Sequence, residues 1–130
     1  LMTPNLDEAQ VLLGGGPVDH HNQAATAEAL GDQFGCAVLL KGGHLAGDPI
    51  DLLWDGQQIH TWHHRRLKNV NTHGSGCILS AAITAALAQG NSLKQAVETG
   101  LNAVRQALLN PVVPAPDLLL AGIESIGKAN

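Results

Sequence analysis

Apolar positions along this chain fall into short runs, and glycine or proline closes each run. Asn5-Leu6-Asp7-Glu8 reads as a helix start, with Asn5 as N-cap and Glu8 three residues on, the spacing of a capping box. Ala9, Val11, Leu12 and Leu13 follow, and Gly14-Gly15-Gly16-Pro17 ends the run. A second helix is predicted over about Gln23 to Leu30, ending near Gly31. Cys36 to Lys41 is a continuous apolar stretch closed by Gly42-Gly43. That pattern predicts a strand buried on both faces of a parallel sheet. Ile50 to Trp54 and Gln57 to Trp62 flank Asp55-Gly56, a hairpin signal. Trp54 and Trp62 are expected to pair across it. Residues 63–70 read as a loop or an edge segment.

Ile78 to Gln89, closed by Gly90, is apolar on nearly all sides and predicts a buried helix. Ser92 starts another helix, with Gln95 at the capping-box position. Leu93, Ala96, Val97, Gly100, Leu101, Val104 and Leu108 recur at helical spacing up to Pro111. Leu118 to Leu120 then predicts a short helix or strand. The fold class expected from this order is α/β, a sheet covered by helices. Leu1-Met2 reads as the tail of a strand, placed directly before the first helix signal.

Composition narrows the function. The chain has 130 residues, 45% of them hydrophobic, enough for one core and a single domain. Charged residues are 14% and the net charge is −4. The densest basic run is Arg65-Arg66 with Lys68, too short to predict nucleic-acid binding. No apolar run approaches the roughly 20 residues of a membrane span, so no membrane role is expected. The first residues lack the pattern of a signal peptide. Cys36 and Cys77 are far apart in sequence and do not make a disulfide framework. A cytoplasmic location is expected.

The candidate chemistry lies in Gly74-Ser75-Gly76-Cys77, just ahead of a helix. Glycines let backbone approach a ligand closely. A helix N-terminus offers unpaired amides and partial positive charge, an anion pocket suited to a phosphoryl group. Cys77, in the first turn, occupies a position that stabilises a thiolate able to accept a proton from a substrate hydroxyl. The alternative is that the glycines only cap the helix and Cys77 is a small core residue. His73 would orient this loop. Cys36 reads as core. His60, His63 and His64, with the pair His20-His21, are read as solvated polar segments in preference to zinc ligands.

The stretch from Asn71 to Ile83 resembles the signature of the hydroxymethylpyrimidine/phosphomethylpyrimidine kinases of thiamine biosynthesis, members of the ribokinase-like superfamily. Most of that superfamily carries Asp at the position of Cys77, whereas the pyrimidine kinases carry Cys. The usual family residue at Ser75 is Thr, so the hydroxyl is kept. Thr3 to Ala9, Val38 to Leu45 and Asp51 to Gly56 resemble further family segments in the same order.

The resemblance implies a partial ribokinase-like domain, residues 1–130 forming its C-terminal, nucleotide-side part without the N-terminal half. It implies ATP and Mg²⁺ as cofactors and a small-molecule pyrimidine as substrate. It implies Cys77 as catalytic base, with Gly74, Ser75 and Gly76 as the anion hole. It implies Lys41 and Asn5 at ATP and Glu8 at the metal. An exposed turn lysine and a simple capping box are the plain alternatives for these three. The full-length form is expected to be a homodimer, and this chain alone a weak or inactive kinase. A pyridoxal-type kinase and a non-catalytic nucleotide-binding remnant are the competing readings.

Overall fold

The computed structural model describes residues 1–43, 47–115 and 118–120. The His44-Leu45 end of the family-like segment and Pro116 lie outside the described residues. The element order is α1 (Leu6–Leu13), α2 (Gln23–Phe34), β1 (Val38–Leu40), β2 (Ile50–Trp54), β3 (Ile59–His63), α3 (Ser75–Ala88), α4 (Leu93–Leu109), β4 (Val112–Ala115) and β5 (Leu118–Leu120). This is the α/β class expected. Where one core was expected, the chain divides into two compact units, Leu1–Arg66 and Leu67–Asn130.

In the first unit, β1, β2 and β3 form a sheet in that order, each pair antiparallel. The expected parallel setting of β1 holds only at its other edge. There Met2 bridges Val38 and Asn5 bridges Lys41, both parallel. The Leu39 and Lys41 amides donate to the Met2 and Pro4 carbonyls, each at 2.9 Å. The segment before α1 thus pairs like a strand end, as its sequence suggested. Val38, Leu39 and Leu40 are fully buried, as an all-apolar strand requires.

Side chains alternate across the sheet. Val38, Leu40 and Trp54 face α1 and α2 and pack with Leu6, Ala9, Ala27 and Leu30. The helix α1 has the complete predicted capping box. It ends on Gly14 at φ 62°, a conformation glycine adopts without strain. The helix α2 runs past its predicted end to Phe34, and Gly35, at φ 63°, closes it instead. Gly31 lies inside this helix because the Trp54 indole rests against its backbone, where a Cβ would collide. Cys36 follows at the helix exit, half-buried and outside the core cluster expected for it.

The hairpin turn is longer than a two-residue Asp-Gly turn, and β3 begins at Ile59, not Gln57. Asp55 Oδ1 accepts the Gln57 and Gln58 amides, each at 2.9 Å, which organises four residues between Trp54 and Ile59. The two tryptophans do not pair. Trp54 is in register with Ile59 and Trp62 with Asp51, so period-2 alternation puts the rings on opposite faces.

In the second unit α3 packs on α4. Its buried residues are Ile78, Leu79, Ile83 and Ala86. The expectation of all-round burial is corrected: Cys77, Ala81, Ala85, Leu87 and Ala88 are exposed. Alanines expose little apolar surface, so a low-polarity helix need not be covered on every side. The helix α4 begins with the predicted Ser92–Gln95 capping box. Its buried line is Ala96, Val97, Gly100, Ala103 and Ala107, with Leu93, Leu101, Val104 and Leu108 half-buried beside it. Small residues occupy the closest approach and larger ones flank it. The strands β4 and β5 pair antiparallel, which settles Leu118 to Leu120 as a strand. Among the described residues, no helix is long and apolar enough to cross a membrane.

Candidate active site

The glycine loop is part of the helix, not a linker before it. Gly74 is the N-cap of α3 at φ 84°, and Ser75, Gly76 and Cys77 form the first turn. The helix was expected to start at Ile78. It starts earlier because Gly74 reaches a left-handed conformation that turns the chain directly into helix. The Ile78 amide donates to the Gly74 carbonyl at 3.1 Å. The Ser75 amide is taken by the Thr72 carbonyl at 3.1 Å.

No side chain caps this helix. The Gly76 and Cys77 amides, lying before the first intrahelical bond, have no partner among the described residues. They are two of the donors that every helix start leaves unpaired. Glycine at position 76 leaves its amide open to an anion at close range. Cys77 is exposed, which removes the reading of it as a core residue. A thiol in the first turn, beside two free amides, can meet a ligand that carries an anionic group.

The approach to this turn is ordered. Asn71 Oδ1 accepts the His73 amide at 2.9 Å, so Asn71 itself organises the loop beside His73. On the helix side, Ser80 Oγ donates to the Gly76 carbonyl at 2.9 Å and Thr84 Oγ1 to the Ser80 carbonyl at 2.8 Å. These hydroxyls bond back four residues along α3. The hydroxyl pattern is visible in the sequence, but its target carbonyl at Gly76 is a result of the structure.

The remaining candidates lie in the first unit. Asn5 and Glu8 are next to each other through the capping box. Glu8 Oε2 accepts the Asn5 amide at 2.7 Å, and Asn5 Oδ1 accepts the Glu8 amide at 2.8 Å. The carboxylate of Glu8 is exposed. Among the described residues no three His, Cys, Asp or Glu side chains converge as a metal site. Lys41 directly follows β1 and bridges Asn5, so the structure brings Lys41 and the start of α1 together. Its side chain has no hydrogen-bond or ion-pair partner among the described residues.

The histidines are not simply solvated, as their polar setting suggested. His60 Nε2 lies 2.7 Å from Asp55 Oδ2, and its ring centroid is 6.3 Å from that of Trp62. The Gln58 amide, the His60 side chain and the Gln57 amide together lower the Asp55 pKa from 3.8 to about 2. His64 Nε2 lies 2.9 Å from Asp51 Oδ2. The contact does not meet the geometry of a hydrogen bond, and His64 Nε2 is buried without one. His20 and His21 are exposed in the turn before α2. Sequence reasoning missed Asp51 and Arg66. Asp51 Oδ1 accepts the Gly42 amide at 2.9 Å. Arg66 donates to the Gly43 carbonyl from both terminal nitrogens at 3.2 Å. Only an acid at the β2 position facing a Gly-Gly turn hinted at the first contact.

This chain is similar to known proteins in sequence and in fold. A family model described as phosphomethylpyrimidine kinase matches residues 1–115. The hydroxymethylpyrimidine/phosphomethylpyrimidine kinase of Streptomyces coelicolor is 42% identical over 109 residues, covering 82% of this chain and 39% of that protein. The chain thus spans about two fifths of that relative's length. A pyridoxal kinase from Staphylococcus aureus, solved with AMP-PCP and pyridoxal, superposes with a TM-score of 0.87 at 30% identity. That match covers 97% of this chain and 48% of the other. A phosphomethylpyrimidine kinase from Clostridium difficile superposes with a TM-score of 0.66 at 30% identity, over 82% of this chain and 42% of the other. Matched by that family model over residues 1–115, the chain belongs to the phosphomethylpyrimidine kinase family.

Proposed function

We propose that this chain is the nucleotide-side part of an ATP-dependent kinase that phosphorylates hydroxymethylpyrimidine and its monophosphate. The observation that carries the reading is the exposed Cys77 beside the unpartnered Gly76 and Cys77 amides. In this reading the Cys77 thiolate takes the proton of the substrate hydroxymethyl group. The freed oxygen attacks the γ-phosphorus, and the bond to the β-phosphate oxygen breaks, leaving ADP. The Gly76 and Cys77 amides hold the phosphoryl oxygens, with Gly74 setting the turn and Ser75 within it. Positioning and charge stabilisation are what phosphoryl transfer most requires.

Lys41 and Asn5 are assigned to the ATP phosphates. Glu8 fits Mg²⁺ through water, because the capping box engages only its Oε2 and magnesium retains several waters. When bound, Mg²⁺ neutralises charge on the phosphates. The pyrimidine-binding residues are assigned to chain outside residues 1–130, so this polypeptide alone is expected to turn over weakly or not at all. The complete enzyme is read as a cytoplasmic homodimer, and both cysteines being free suits a reducing compartment.

The test is ADP production with hydroxymethylpyrimidine as acceptor. It is run on the 130-residue chain and on a complete kinase bearing this segment. In the complete enzyme Cys77→Ala is expected to abolish turnover and keep ATP binding. Turnover near wild type would remove Cys77 from the chemistry. A second reading, a pyridoxal-type kinase, is favoured by the closer superposition on the Staphylococcus aureus pyridoxal kinase. Faster turnover with pyridoxal than with the pyrimidine would select it.

A further inference from the structure

Two aspartate–histidine pairs lie on one face of the β2–β3 hairpin. Asp55–His60 closes the turn at its tip. Asp51–His64 lies at the other end, next to the turn that follows β1. Asp51 is buried, and burying a carboxylate costs stability unless its oxygens are engaged. Oδ1 accepts the Gly42 amide at 2.9 Å, and Oδ2 is covered by His64, whose Nε2 lies 2.9 Å away.

The turn itself is held from several elements. A Cβ on Gly42 would run into the Ile50 carbonyl and lie 2.9 Å from Gln23 Nε2. Gln23, buried on α2, donates to that same carbonyl at 3.4 Å. Arg66 donates to the Gly43 carbonyl, and its amide donates to Asp48 Oδ1 at 2.9 Å. Lys41 is fixed through its own amide, bonded to the Pro4 carbonyl at 2.9 Å.

The register gives this network a direction. β1 pairs β2 as Leu39 with Leu53 and Leu40 with Leu52. One step further sets Lys41 opposite Asp51, on the same face. A cross-strand lysine and aspartate ordinarily form an ion pair. Here they do not, because Asp51 gives its oxygens to Gly42 and His64.

We propose that Asp51 and His64 are positioning residues: Asp51 pins the Gly42 turn, and His64 occupies its second oxygen so that the Lys41 ammonium stays free for ATP phosphates. This rests on the kinase reading, and it adds two residues that never touch the nucleotide. His64 works through Lys41, so its removal lets the carboxylate capture that ammonium.

The test uses the full chain. In His64→Gln, ATP affinity is expected to fall about tenfold with the melting temperature nearly unchanged, a loss of the size that one charged contact supports. In a Lys41→Ala background His64→Gln is expected to cost nothing further, because the two act as one unit. Asp51→Asn added to His64→Gln is expected to recover part of the loss. Two readouts need no nucleotide. Acylation of Lys41 should slow in His64→Gln, and Gly42 amide exchange should speed up in Asp51→Ala. Wild-type affinity in His64→Gln, or an equal loss in the Lys41→Ala background, overturns the proposal. Unchanged Lys41 acylation also overturns it, even if Asp51→Ala fails to fold. If the wild-type chain binds no ATP, the kinase reading of this chain falls, while acylation and exchange still decide the network.

Discussion

The Trp54 indole lies against the backbone of Gly31, its Cδ1 and Nε1 filling the space where a side chain would begin. This contact docks α2 on the sheet and explains why a glycine sits inside the helix. Gly31→Ala places a methyl group where the indole stands. Helix propensity favours Ala over Gly by up to about 1 kcal/mol. Overpacking a core costs about 1–3 kcal/mol. The expected net result in urea unfolding is destabilisation, partly relieved when Trp54→Leu is added. A stabilised Gly31→Ala protein would contradict the contact.

The second unit depends on a similar close approach. A Cβ on Gly100 would lie 2.5 Å from Ile83 Cγ1 and 3.1 Å from Leu79 Cδ1. Gly100→Ala is expected to push α4 away from α3 and to cost about 1–3 kcal/mol. Ile83→Ala, which removes the opposing Cγ1, is expected to cost less in the Gly100→Ala background than in the wild type. Chemical unfolding with a double-mutant cycle measures the coupling.

Asn5 and Glu8 have a structural role that is independent of any ligand. Asn5→Ala removes the N-cap acceptor of α1 and is expected to cost about 1 kcal/mol, whereas Asn5→Ser should retain most of it. Denaturant midpoints without nucleotide separate this from ATP binding. If Asn5 also contacts phosphate, Asn5→Ser should weaken ATP binding while leaving the midpoint nearly unchanged.

Asp55 makes the hairpin sensitive to acid. Its folded pKa is lowered from 3.8 to about 2, so its contribution to stability is complete above about pH 4. It is lost as the pH falls from about 4 through about 2. The carboxylate is half-buried in a turn that water still reaches, so solvent screens the effect and the expected change is small. Melting temperatures between pH 5 and pH 2 should fall less steeply in Asp55→Asn than in the wild type.

Local chemistry was the part of the fold that could be read directly. Both capping boxes, at Asn5–Glu8 and Ser92–Gln95, formed as their spacing required. Each depends on side chains three residues apart, whose geometry no distant contact needs to set. The apolar run at Val38 to Leu40 became a buried strand because three consecutive apolar residues suit only a position covered on both faces. The errors came where a distant residue decided. Gly31 reads as a stop until Trp54 is placed against it. Trp54 and Trp62 read as partners until the four-residue turn fixes the register and separates their faces.

The site divides along the same line. The sequence from Gly74 to Cys77 determined a glycine-led helix start with a thiol in its first turn, because caps and helix termini are local. That the Gly76 and Cys77 amides stay unpartnered and Cys77 stays exposed was decided only in three dimensions, by what does and does not pack on α3. Lys41 could be named from its place after a buried strand. The proposed freedom of Lys41 from Asp51 could not, because it depends on the chain after β3 bringing His64 beside Asp51. Hydrogen bonds between neighbours in sequence are written in the sequence. Which carboxylate is left to meet which cation depends on strand register, and register is a property of the folded sheet.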